Sequence, residues 1–123
     1  MQTVLIIEHN VFLQDMWADL LRGRVQIIPA YSIGQAEGEF DRNEDLAVIV
    51  VNACMSDAKD GAHEHEMNTV PLVEKIRAEF KGPMIAISGI PSFRQKLVEA
   101  GCNHWCEKQD LSRKVCEILG LMQ

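Results

Sequence analysis

Leu46-Ala47-Val48-Ile49-Val50-Val51-Asn52 holds the longest uninterrupted apolar run in the chain, closed by a polar amide. The run is of strand length and far too short to cross a bilayer. Because both of its alternating faces are apolar, it reads as the central strand of a sheet covered on both sides, with Asn52 delivered at its carboxyl end. Outward from it, Val4 to Ile7 is another β-branched run that ends in Glu8-His9-Asn10. Val25 to Ile28 makes a strand stopped by Pro29, Met84 to Ile87 one ending in Ser88-Gly89, and His104 to Cys106 a last short one before Lys108.

Helical periodicity fills the intervals. Phe12, Met16 and Leu20 recur at i, i+4, i+8 with Leu13, Trp17 and Leu21 beside them, a wide apolar stripe expected to be buried and closed by Gly23. Ser32 and Gln35 fit a capping box for a helix to about Phe40, weakened by Gly34 and Gly38. Thr69 is expected to cap a helix with Pro71 in its first turn, continued by Val73, Ile76, Arg77 and Phe80 and ended at Gly82. Ser92 and Gln95 suggest a further capping box, with Gly101 as the C-cap; Asp110 is expected to cap a last helix whose stripe is Leu111, Val115, Ile118 and Leu119. Strict strand-helix alternation implies an α/β domain: a parallel sheet, right-handed crossovers and helices on both faces.

At 123 residues, 47% hydrophobic and 24% charged, the chain reads as one globular domain spanning 1–123. The net charge of -6, with its bases scattered among more numerous acids, argues against direct nucleic-acid binding. The start MQTVLIIEHN lacks a basic n-region and a long apolar run, so it reads neither as signal peptide nor as membrane anchor. Cys54, Cys102, Cys106 and Cys116 are then expected to be reduced thiols in a cytoplasmic protein. Two metal-like patterns stand against plainer readings. His63-Glu64-His65-Glu66 lies in a polar loop between Asn52 and Thr69 and is expected to be solvated; Cys102, His104 and Cys106 alternate with zinc-like ligand types but lack a zinc-module spacing.

In open α/β sheets ligands bind outside the carboxyl ends of the strands. That rule gathers Glu8 and His9, Asn52, Ser88 and Lys108 toward one pocket. These positions and spacings resemble the receiver domain of bacterial response regulators, over essentially the whole chain. VLIIEHN resembles the opening strand and acidic pair, VIVVNACMS the strand carrying the phosphoacceptor, IAIS the strand with its hydroxyl residue, and EAGCNHWCEK the segment with a switch aromatic and a phosphate-contacting lysine. The resemblance implies a five-stranded parallel sheet of order 2-1-3-4-5 flanked by about five helices, the flavodoxin-like receiver fold. It also implies that Asn52 stands where the family has its phosphoacceptor aspartate, that Glu8 and His9 occupy the acidic metal pocket, that Ser88 and Lys108 are the phosphate-contact equivalents, and that Trp105 is the switch aromatic.

The departures have chemical consequences. An amide has no nucleophilic carboxylate, so Asn52 cannot form the family's acyl phosphate. Magnesium prefers oxygen and is held through carboxylates; with His9 replacing the second acid, no cofactor is expected and Mg²⁺ binding should be weak or absent. Lys108 is expected to pair with Glu8. The resulting expectation is a pseudo-receiver of two-component type, not an enzyme, that signals by phosphorylation-independent protein-protein interaction. Its partner, or a second copy, would dock on the face of the fourth helix, fifth strand and fifth helix: Ser92 to Ala100, Asn103 to Cys106 and Leu111 to Leu121. The alternatives are a small anion or nucleotide held by His9, Asn52, Ser88 and Lys108, hydrolysis by a Ser88-His9 pair, or an engineered aspartate-to-asparagine form of an active phosphorelay receiver. The sequence has no glycine-rich phosphate loop after its first strand.

Overall fold

Residues 1–56 and 66–121 are described by the computed structural model. In chain order the elements are β1 (Thr3–Ile7), α1 (Val11–Leu20), β2 (Gln26–Ala30), α2 (Ile33–Arg42), β3 (Leu46–Asn52), α3 (Val70–Arg77), β4 (Met84–Ile87), α4 (Pro91–Ala100), β5 (His104–Cys106), a 3-10 turn at Lys108–Asp110, and α5 (Leu111–Leu119). The strands form one parallel sheet of order β2-β1-β3-β4-β5, as the resemblance implies.

The sheet divides the core into two apolar layers. Leu5, Ile7, Ile49, Val51, Met84 and Ala86 face Ala36 of α2, Leu72, Val73 and Ile76 of α3 and Leu97 of α4. Val4, Ile6, Val48, Val50, Ile85 and Ile87 face Trp17 and Leu21 at α1 and Leu111, Val115 and Cys116 of α5. The alternation expected of a doubly covered strand is thus present residue by residue in β1, in β4 and in β3 from Val48 on, whereas Ala47 and Val48 share a layer where the register with β1 shifts. Each polar strand end, from Glu8 to Asn52 to Ser88, is left at the same edge of the sheet.

Several local expectations are corrected. The Phe12-Met16-Leu20 line of α1 faces outward, with Phe12 86% exposed, whereas Gln14, Trp17 and Leu21 are buried. Two polar anchors set this rotation. Gln14 Nε2 donates to the carbonyls of Ile6 at 2.8 Å and Glu8 at 3.1 Å, and Trp17 Nε1 donates to that of Lys108 at 3.3 Å. Pro29 does not stop β2 but lies within it, opposite Ile6. It is tolerated because β2 is an edge strand.

The capping box at Ser32 is present, with Gln35 N donating to Ser32 Oγ at 3.1 Å, although Gln35 Oε1 reaches back to Tyr31 N, one residue further out. The other three caps differ. The Thr69 hydroxyl is turned to the carbonyls of Asn52 and Ala53, at 2.8 and 3.1 Å, and caps nothing. Pro91 opens α4 at Ile90, leaving Ser92 inside the helix, and Asp110 pairs with Arg113 at 3.1 Å. Helix α3 ends at Arg77 rather than running to Phe80, since Arg77 binds the carbonyls of Phe80, Gly82 and Gly101 at 2.7, 2.9 and 2.8 Å. Gly82 is needed for the Phe80 ring, which a Cβ would meet at 2.7 Å. Gly101 is the expected C-cap, at φ 148°.

Candidate functional site

The carboxyl ends of β1, β3 and β4 surround a cleft of about 230 Å³ lined by His9, Asn10, Asn52, Cys54, Ser88 and Lys108 among others. Glu8 forms its floor and is wholly buried. The sequence-expected residues Glu8, His9, Asn52, Ser88 and Lys108 are therefore brought together; Trp105 is not among them.

Glu8 organises the floor. Its Oε1 meets Lys108 Nζ at 2.7 Å, an ionic contact in place of a well-angled hydrogen bond. Its Oε2 accepts from Asn52 Nδ2 at 3.0 Å and from the backbone N–H of Asn10 at 3.2 Å. Buried carboxylates persist only when charge and hydrogen bonds compensate the loss of water, and both are supplied here. Lys108, extended from the turn after β5, gives the charge, so the expected Glu8-Lys108 pair is observed.

Asn52 is held on both sides of its amide. Nδ2 also donates to the Cys54 carbonyl at 2.7 Å, while Oδ1 accepts from Cys54 N at 3.3 Å. His9 Nδ1 accepts from Ser56 N at 3.1 Å and also lies 3.4 Å from Glu8 Oε2. One nitrogen cannot accept from Ser56 and donate to Glu8 together; the shorter, directed bond from Ser56 makes it the acceptor, and His9 does not form an ion pair in this arrangement. Ser88 Oγ accepts from Ile90 N at 3.1 Å and so shapes the entry into α4. Among the described residues no hydrogen bond joins Ser88 to His9.

Trp105, whose ordinary fate beside a strand is burial, is 53% exposed. The Arg94 guanidinium lies 4.3 Å from its ring centroid and donates to the Ser88 carbonyl at 2.9 Å. Arg94 thus spans from the rim of the cleft to the outer face of β5. A cleft of about 490 Å³ toward α5 and another of about 240 Å³ toward α4 flank Trp105, and both include Arg94.

Several participants escape sequence reasoning. Asn10 carried a signal, an asparagine three residues before Leu13, whose N–H it caps at 3.1 Å. Cys54 acts at the floor through backbone atoms, which no residue type announces; burial pushes its thiol above the ordinary value, with Lys108 opposing and Glu8 adding to the rise. Asn68 pins the segment after β3 by a reciprocal pair with Met55, at 2.8 and 2.7 Å. Cys102 and Cys106 fall in opposite core layers, since Cys102 lies in the connection before β5 begins and does not follow its alternation, so they cannot share a metal. His63, Glu64 and His65 lie outside the described residues; Glu66 is exposed. No helix among the described residues is long and apolar enough to cross a membrane.

No protein-family model matches the sequence, and the search of curated proteins finds no significant match. Solved structures do match. A two-component response regulator from Clostridium difficile aligns with a TM-score of 0.79 at 20% identity, covering 98% of this chain and 97% of that one. A CheY-like receiver domain from Methylobacillus flagellatus aligns with 0.76 at 18%, covering 98% and 97%. A response regulator from Burkholderia pseudomallei, with a phosphorylated aspartic acid, a calcium ion and citrate, aligns with 0.76 at 14%, covering 97% of this chain and 66% of that one.

Proposed function

We propose, from the premise that this chain has the fold of response-regulator receiver domains, that it is a signalling module acting through protein-protein contact without phosphoryl transfer. The observation that carries the reading is the state of Asn52. Where an acyl phosphate would need a free carboxylate, the strand presents a carboxamide whose lone pair is delocalised and whose N–H groups are turned to Glu8 and Cys54. Lys108, which would meet a phosphoryl oxygen, is paired with Glu8 instead. The same pairing weighs against the small-anion reading, since the cleft's lysine is already neutralised.

Partner docking on the α4-β5-α5 face is supported by what that face exposes. Val98 and Trp105 are large apolar groups in water, with Ile90 beside α4. Trp and Arg are enriched at interfaces, and Trp105 over Arg94 offers both at once.

The test is incubation with a small acyl-phosphate donor and Mg²⁺, followed by intact-mass measurement and by Trp fluorescence with beryllofluoride. We expect neither a phosphoryl adduct nor a fluorescence change. A stable adduct, or a saturable beryllofluoride response, would sink the proposal.

A further inference from the structure

The floor of the cleft shows a specific misfit with the divalent cation that the fold family implies. A cation there would need oxygen ligands facing a common point, at about 2.0–2.1 Å for Mg²⁺ or 2.3–2.6 Å for Ca²⁺. The oxygens that face such a point are Glu8 Oε2 and the Cys54 carbonyl, and the group between them is Asn52 Nδ2, 3.0 Å from the one and 2.7 Å from the other. The amide nitrogen carries two N–H donors, which is the number needed to serve both oxygens. Meanwhile Glu8 Oε1 faces the Lys108 ammonium at 2.7 Å, and His9 Nδ1 is engaged by Ser56 N. The donor set therefore does not fit a metal as it stands.

We propose that the Asn52 carboxamide takes the place of the divalent cation: its two N–H groups bridge Glu8 Oε2 and the Cys54 carbonyl, and with Lys108 on the other carboxylate oxygen they hold the cleft in one metal-independent arrangement. For a cation to enter, Asn52 must rotate its amide, forfeiting the bonds to Glu8 and Cys54 and the one that Oδ1 accepts from Cys54 N. Rotation alone would bring Oδ1 against Glu8 Oε2, two acceptors face to face. The segment that leaves β3 is held by the same bonds, since Cys54 contributes both its N–H and its carbonyl to Asn52. The bridge thus does for this loop what a metal does in a loaded site. It draws the backbone after the strand onto the carboxylate of β1.

The inference stands on the floor geometry and is independent of the phosphoryl question. Its test follows the Asn52 side-chain NH₂ resonances of the full ¹⁵N-labelled chain during titration with MgCl₂ and with CaCl₂, alongside thermal melts of wild type and Asn52→Asp in chelator and in metal. The bridge predicts wild-type resonances and melting temperature that millimolar metal leaves unmoved. Asn52→Asp, which sets two carboxylates where an amide met one, should melt lower in chelator, recover with metal, and bind it at least about tenfold more tightly than wild type. If Asn52→Asp does not fold, Asn52→Ala opens both oxygens without a second charge and should acquire a metal-dependent rise in melting temperature. A saturable metal shift in the wild type, or folded variants without any metal response, overturns the bridge. Metal binding by the wild type would leave the preceding proposal intact, and a phosphoryl adduct would leave this one intact, so the two fail separately.

Discussion

Replacing Lys108 by Met tests the floor of the cleft most directly, because Met keeps the apolar stem and removes only the charge. The ammonium lies 2.7 Å from Glu8 Oε1. At an effective dielectric of about 20 the attraction is on the order of 6 kcal/mol, an upper figure. Two facts reduce it. The Lys108 side chain is 31% exposed, so water screens part of the field, and the other carboxylate oxygen keeps its donors on Asn52 and Asn10. Breaking a buried pair from one side costs about 3–5 kcal/mol when nothing else compensates. We therefore expect Lys108→Met to lose about 2–4 kcal/mol, a large share of the roughly 5–15 kcal/mol that holds a domain together. The melting midpoint should fall by about 10 °C. Urea denaturation followed by fluorescence reports it, Trp17 being fully buried and bonded to the carbonyl of Lys108 itself. Glu8→Gln combined with Lys108→Met should recover more than half of the loss, since no charge is then stranded. A loss below about 0.5 kcal/mol for the single variant, or a double variant no better than the single, refutes the reasoning.

The remaining expectations concern the rest of the molecule. Phe12→Ser should change stability by less than about 0.5 kcal/mol, whereas Trp17→Ala should cost about 3–5 kcal/mol, and comparable losses in denaturant melts would show the rotation of α1 to be wrong. Burial pushes the thiols of Cys102 and Cys106 up, to about 12 and about 11, so an alkylating reagent at mildly alkaline pH should label them only on unfolding; labelling of the native chain at a free-thiol rate contradicts this. His104 is held below its ordinary value of 6.5 by burial, with Lys114 adding and Glu117 opposing. The folded state then binds fewer protons than the unfolded, so its contribution is present above pH 6.5 and lost as pH falls through the lowered value. Melts across that range should flatten in His104→Gln, and an unchanged slope would exclude the group.

The strands were legible because doubly covered strands leave uninterrupted apolar runs, and β1, β3 and β4 begin and end within a residue of where those runs do. The site followed from them, since polar residues at strand ends converge in this topology whatever their identity. Orientation was harder. Helix α1 carries two apolar lines offset by about one residue, and periodicity cannot choose between them. The choice falls to Gln14, a polar residue that hydropathy counts against burial but whose amide matches carbonyls at the ends of β1 and β2. Caps were ambiguous for a related reason. A hydroxyl before a helix can serve the helix or an earlier strand, and Thr69 serves the end of β3. Arg94 was missed because its role depends on a span from Ser88 to Trp105 that only the packing of α4 on β5 creates.

The rim of the sheet bears on how any partner can engage. Along β2, Gln26 N bonds inward to Gln2 O and Ala30 O receives Glu8 N, so the odd-numbered Ile27 and Pro29 point their backbone outward. Pro29 has no N–H to offer there. At the opposite rim β5 is three residues long. Both borders are therefore poor templates for an added strand from another chain. Recruitment by β-augmentation is thus disfavoured at both borders. That leaves side-chain surfaces such as the one around Trp105 on β5 and Val98 on α4, where single substitutions can retune a contact without disturbing the sheet.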